Sequence, residues 1–163
     1  MKTKPAYIVI DTNVLISAGL LPQSKTAQVL ALAVEHFVIA QNQQTWHELE
    51  TRIARPKFDR DFGDSGRMAH LVKIAQSMQH FEVTAEVAVS RDPTDHKFIA
   101  LALDAGAKIL ISGDPDLTEV RMHQGVEVLS PAHLFERFKP LYVVSLWLPM
   151  LNQDPHRLLE HPN

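Results

Sequence analysis

Ala107-Lys108-Ile109-Leu110-Ile111-Ser112-Gly113-Asp114-Pro115-Asp116-Leu117 is an apolar run stopped by two acids. Ile109, Leu110 and Ile111 suit a strand buried on both faces. Gly113 and Pro115 end the run, so Asp114 and Asp116 fall just past the strand's carboxyl end. In open α/β sheets, functional sites gather outside that end. The start of the chain repeats the arrangement, with Tyr7-Ile8-Val9-Ile10 running straight into Asp11-Thr12-Asn13. Two buried strands that end in acid point to one acidic pocket, of the kind that holds a divalent metal for phosphodiester hydrolysis.

Outward from these two strands, apolar runs alternate with helical stripes. Strands are expected over residues 6–10, 37–40, 107–111 and 126–129, and residues 81–89 read as a strand or an extended connector. A short helix is expected over 14–18. Ser24 can cap a second helix over 25–35, whose stripe is Val29, Leu30, Ala33 and Val34. Trp46, Leu49 and Ile53 mark one side of a helix over 44–55, which Pro56 ends. Further helices are expected over 67–79, over 95–105 with Gly106 as its terminator, and from Pro131 through Phe138. Strands alternating with helices imply a parallel sheet with right-handed crossovers. Residues 139–163 break the pattern. Leu141, Tyr142, Val143, Val144, Leu146, Trp147, Leu148, Met150 and Leu151 make an apolar strip there, expected to pack on the domain, on a second copy or on a partner segment.

The 163 residues suit one domain with a modest tail. Hydrophobic residues make up 45% and charged residues 21%, a globular rather than disordered composition. With no cysteine there is no thiolate metal site, and the chain sits most easily in a reducing cytoplasm. Asp11 interrupts the first apolar run, so no secretory h-region is expected, and no membrane span either. The formal net charge of -3 weakly opposes a nucleic-acid partner, although clustered acids lower that sum without removing a local basic patch.

Each acid has a bland structural alternative. Asp11 is either a helix cap or a pocket ligand, and Asn13 is an alternative cap that would free it. Asp95 shares a helical stripe with Phe98, Ile99 and Ala102, where a carboxylate is costly unless paired or on a metal. As an N-cap it would compete with Thr94. Asp92 reads as the turn residue before Pro93. Asp114 and Asp116 fit an Asx-turn and a cap. Glu48, four residues before Arg52, reads on residue physics alone as a solvated ion-pairing residue. Converging carboxylates need a counter-ion, since two like charges ~4 Å apart repel by roughly 4 kcal/mol at an effective dielectric near 20. Oxygen ligands suit Mg²⁺ or Mn²⁺, and no closely spaced His pair favours zinc. His47 and His96 flank Glu48 and Asp95 and read as surface residues, or at most as supports behind those acids.

The segments Ile10 to Ala18, Glu48-Leu49, Ala54 to Phe58, Arg91 to Ala102 and Ser112 to Leu117 together resemble the PIN domain, in particular the VapC-like toxin components of bacterial toxin–antitoxin pairs. The likeness runs from residue 7 to about residue 138. It implies a three-layer α/β/α fold around a parallel sheet of about five strands in residues 1–138, with 139–163 as an appended tail. It implies Asp11, Glu48, Asp95 and Asp114 as the family's four metal-binding, catalytic acids, with Glu48 acting through a water or helping to deprotonate the nucleophile. Asp11, Asp95 and Asp114, with the additional acid Asp116, would hold Mg²⁺ or Mn²⁺. Ser112 stands where Thr or Ser is usual, and Thr12 and Asn13 support the site. Asp92 matches a subgroup feature outside the core quartet. The implied activity is metal-dependent endonucleolytic cleavage of RNA by a cytoplasmic protein, often dimeric or a higher homo-oligomer, held inactive by a cognate antitoxin. Arg52, Arg55 and Lys57, with Lys25 and Arg60, are candidates for phosphate contacts, although each alone reads as a solvated surface charge.

Three rivals remain at this level. A haloacid-dehalogenase-like phosphatase would also use Asp11, but wants an acid where Asn13 stands. A phospho-receiver module wants an acidic pair near the first strand and a late lysine, and neither is evident. A non-catalytic module that binds metal and RNA differs only by assay.

Overall fold

Six strands form one sheet in the order β3-β2-β1-β4-β6-β5 in the computed structural model, which describes residues 4–140. The strands are β1 (Tyr7–Ile10), β2 (Val38–Gln41), β3 (Met78–His80), β4 (Ile109–Ile111), β5 (Met122–His123) and β6 (Val126–Leu129). Five are parallel, as the alternation predicts, and two-residue β5 adds antiparallel to β6 at one edge. The helices are α1 (Thr12–Leu20), α2 (Lys25–His36), α3 (Gln43–Ile53), α4 (Asp59–Ala75), α5 (His96–Ala105) and α6 (Pro115–Thr118), and residues 131–140 form α7. The expected apolar strip of the tail lies outside the described residues.

Alternation along the strands builds the three layers. Ile8 and Ile10 of β1, Ile39 of β2, Ile111 of β4 and Leu129 of β6 enter one core with α1, α2, α3, α4 and Leu134 of α7. Val9, Ala40, Leu110 and Val128 face the other way, onto Phe98, Ile99, Leu101, Ala102 and Ala105 of α5 and Leu117 of α6. Since a strand's side chains alternate, each two-sided apolar run feeds both cores.

The local departures from expectation have physical causes. In α2 the buried stripe takes Leu32, whereas Val34 is exposed. The helix expected over 67–79 begins earlier, at Asp59, continuing through a kink at Gly63 (φ 60°) that only glycine adopts at little cost. It also ends earlier, because Met78–His80 pairs with β2 as the edge strand. Residues 81–90 follow as an extended connector, with Phe81, Val83 and Val87 packed on the second core. The helix expected from Asp95 begins at His96, after a 3-10 turn over Pro93–Asp95, and Gly106 closes it in the left-handed conformation (φ 68°).

Candidate active site

The central pair of strands sets the geometry. β1 and β4 run in register, Val9 beside Leu110 and Ile10 beside Ile111. The next bond, from Asp11 N–H to the Ile111 carbonyl at 2.9 Å, carries the pairing one residue past β1 and brings Asp11 beside Ser112. Ser112 in turn donates its N–H to the Leu129 carbonyl of β6 at 3.0 Å. Both residues are buried, Ser112 with no exposed surface and Asp11 with 4%. The Ser112 hydroxyl donates to Asp11 Oδ2 and accepts the Asp114 N–H at 3.0 Å, so one serine joins the two acidic loops.

Of the two roles the sequence left open for Asp11, the structure shows the cap. Its Oδ1 accepts the Val14 N–H at 3.1 Å and so caps α1, while Oδ2 turns to Ser112. Asn13 is not the cap. It is exposed, and its Oδ1 accepts from Arg52 Nη1 at 3.2 Å. Thr12 is buried. Asp114 caps the short α6 through the Asp116 N–H at 2.9 Å.

Asp95 is different. It makes no capping bond to α5; the turn before it is capped by Asp92, which accepts from the Thr94 N–H at 2.9 Å. Its Oδ2 is shielded from solvent and has no hydrogen-bond partner. Burial, then the charges of Asp114, Asp92 and Asp11, push its carboxyl up to about 6, against the pull of Lys97. Burial also raises Asp11, with the Asp114 charge adding, while the hydrogen bonds from Ser112, Val14 and Asn13 oppose the rise. These mutual effects mean that Asp11, Asp95 and Asp114 share one neighbourhood at the sheet's carboxyl end. Among the described residues, no three His, Asp or Glu side chains are already closed into a metal cage. Bare carboxylates at ligand spacing would repel by several kcal/mol, so an open arrangement is what uncompensated acids adopt.

Glu48 is not a solvated face residue. Its side chain is only 14% exposed, and it pairs with Arg52 Nη2 at 3.1 Å through one oxygen and with Lys97 Nζ through the other. The Asp116 side chain is 40% exposed and pairs with Arg91 Nε at 3.3 Å, while Arg91 also meets Glu119. Of the expected phosphate contacts, Arg52 and Arg55 line a cavity of about 310 Å³ together with His47, Glu48, Thr51, Thr94 and Lys97. Lys57 lies over the Phe58 ring at 4.8 Å, and Lys25 and Arg60 are exposed. His96 Nε2 meets the Ser90 carbonyl at 2.9 Å, and His47 is exposed. A second concavity, of about 1180 Å³, lies between α3, the 81–87 connector and the start of α5.

Lys97 is the residue that sequence reading passed over. Glu48 and Lys97 are far apart in the chain, on different helices, so no helical spacing links them. The only local signal was a lysine two positions after an acid at a helix start.

The PIN domain family model matches residues 7–116. An uncharacterised Methanocaldococcus jannaschii protein, MJ1680, is 29% identical over 129 residues, covering 78% of this chain and 83% of the relative. The fold is similar to that of VapBC2 from Rickettsia felis, solved bound to a promoter DNA fragment, with TM-score 0.53, 11% identity, and coverage of 76% of this chain and 98% of that one. PAE2754 from Pyrobaculum aerophilum aligns with TM-score 0.53 and 19% identity, over 83% of this chain and 96% of that one.

Proposed function

The chain belongs to the PIN domain family, and from that premise we propose that it is a Mg²⁺- or Mn²⁺-dependent endoribonuclease, the toxin of a toxin–antitoxin pair. PIN domains are generally nucleases. The observation that carries the metal-dependent reading is Asp95 Oδ2, a shielded carboxylate oxygen with no partner, beside two further acids. Buried carboxylates left unpaired are costly unless something cationic meets them. The donor set fits a hard divalent ion, with carboxylate oxygen throughout and no thiolate. Asp11, Asp95 and Asp114 would hold it. Asp116, engaged by Arg91, is a further ligand once that pair opens.

When bound, such an ion supplies an activated water and relief of charge at the phosphate. The chain's own residues do the rest. Ser112 fixes the Asp11 carboxylate through Oδ2 and leaves its other oxygen as the cap of α1, so Asp11 cannot swing away. Glu48, held by Arg52 and Lys97, acts on the nucleophile as a positioning acid. Arg52 and Arg55 offer guanidinium groups to the phosphates of the strand. A phosphatase of the haloacid-dehalogenase type is disfavoured, because its second acid would fall at Asn13, which is exposed and bound to Arg52.

The partner reading follows the similarity to VapBC2: a cognate antitoxin would cover the acidic end, and the chain would work as a homodimer or higher homo-oligomer in the cytoplasm. Among the described residues, no helix is long and apolar enough to cross a membrane. The test is a labelled RNA incubated with Mn²⁺ and either the wild-type chain or Asp11→Asn. Cleavage by the wild type and none by the variant is expected. Equal cleavage by both overturns the assignment of this site.

A further inference from the structure

The acidic end has two unlike halves. Asp11, Asp95 and Asp114 lie together, and the Lys97 ammonium favours the charge on Asp95. Glu48, by contrast, spends both carboxylate oxygens on cations, Oε1 on Arg52 and Oε2 on Lys97. Lys97 is itself tightly held. Its side chain is 11% exposed, its ammonium donates to the Thr94 carbonyl, and it lies 5.0 Å from the centroid of the Phe98 ring. Arg52 is tied in turn to Asn13. For Glu48 to ligate a metal, a nearly buried ammonium would have to lose its counter-ion, and leaving such a charge unpaired is strongly unfavourable.

We propose that Lys97 is the built-in counter-charge of Glu48, so that the chain takes one divalent ion, at Asp11, Asp95 and Asp114, and the Glu48 half is served by the Lys97 ammonium instead of a second ion. The inference rests on the metal-dependent reading above and specifies the stoichiometry. It assigns Lys97 as a positioning residue: its amine fixes the Glu48 carboxylate and adds fixed positive charge where a phosphate would lie, beside Arg52 and Arg55. An ammonium held this way needs no loading, so that half of the site is complete at any metal concentration.

The experiment counts Mn²⁺ bound to the full chain at saturation, by electron paramagnetic resonance of the free ion, without RNA. One Mn²⁺ per wild-type chain is expected, one for Lys97→Arg, and two for Lys97→Met, where Glu48 Oε2 is freed while Oε1 stays on Arg52. Glu48→Gln is expected to stay at one and keeps the test decisive if Lys97→Met does not fold. Two Mn²⁺ on the wild type, a Glu48→Gln variant that binds none, or a folded Lys97→Met that stays at one overturns the proposal. A wild-type chain that binds no Mn²⁺ overturns the metal-dependent reading as well, whereas two Mn²⁺ leaves that reading standing and removes only the role of Lys97.

Discussion

Helix α5 has an aspartate near each end, and the two live under opposite conditions. Asp104, at the far end, accepts the Thr84 N–H at 2.6 Å and the Ala85 N–H at 2.9 Å through one oxygen. It pins the 81–90 connector and lies at the exposed surface. Asp95, at the near end, caps nothing and has a shielded oxygen without a donor. Residue type, helix and charge are the same. What differs is whether the protein itself answers the carboxylate. A satisfied acid is structure; an unanswered one, among other acids, is where the proposed cation would stabilise the fold.

The largest expected effect breaks the comparison at its functional end. Asp95→Asn should lower Mn²⁺-dependent cleavage of a labelled RNA by roughly 100-fold or more, past what loss of an outer-shell partner costs a metal site. The same substitution at residue 104 should leave the cleavage rate unchanged. Equal losses at both positions would erase the distinction drawn here.

Next comes Ser112→Ala, which strips a buried O–H donor from Asp11 and the acceptor from the Asp114 N–H. A loss of about 1–3 kcal/mol is expected, read as a lowered midpoint in urea. The Asp11 carboxyl should also rise further, since the serine bond lowers it.

A third test uses acid. The folded chain holds the Asp95 proton up to about 6, whereas the unfolded chain releases it near 3.8. This carboxyl's folded value is raised, so the folded state binds more protons in that window. Metal-free stability should therefore decline as pH rises from about 4 to about 6 and then level off. Discounted for the partial exposure of Asp95, the change is about 1 kcal/mol. Asp95→Asn should flatten that slope and stabilise the metal-free chain at neutral pH, and Mn²⁺ affinity of the wild type should fall below pH ~6 as the ligands protonate. A slope of the opposite sign, measured by thermal melts in chelator, would refute the raised Asp95 carboxyl.

The smallest effect belongs to the structural end. Asp104→Ala should cost about 1 kcal/mol by freeing two backbone donors at the surface, with the cleavage rate intact.

The sequence exposes this fold where the signals are local. Ile8 to Ile10 and Ile109 to Ile111 are short apolar runs with acids and breakers behind them, and both become central strands ending at the site. β3 was hidden because Met78-Gln79-His80 is a polar edge strand of three residues. The start of α4 was hidden because Gly63 and the mixed charges of 57–64 look like a loop, although the chain turns helical on both sides of that glycine. The roles of Asp11 and Asn13 were legible only as a choice between caps, since which one caps depends on where Arg52 of a different helix reaches. The Glu48–Lys97 pair was illegible for the same reason, being made by the crossing of α3 and α5.

The hydroxyl of Ser112 reaches across 101 positions of chain to residue 11. A ribosome that has delivered α1, α2 and α3 has therefore made a helix bundle with half its acids and no cleaving machinery. Ser112 and Asp114 follow β4, so the proposed site is not assembled until most of the domain has been made.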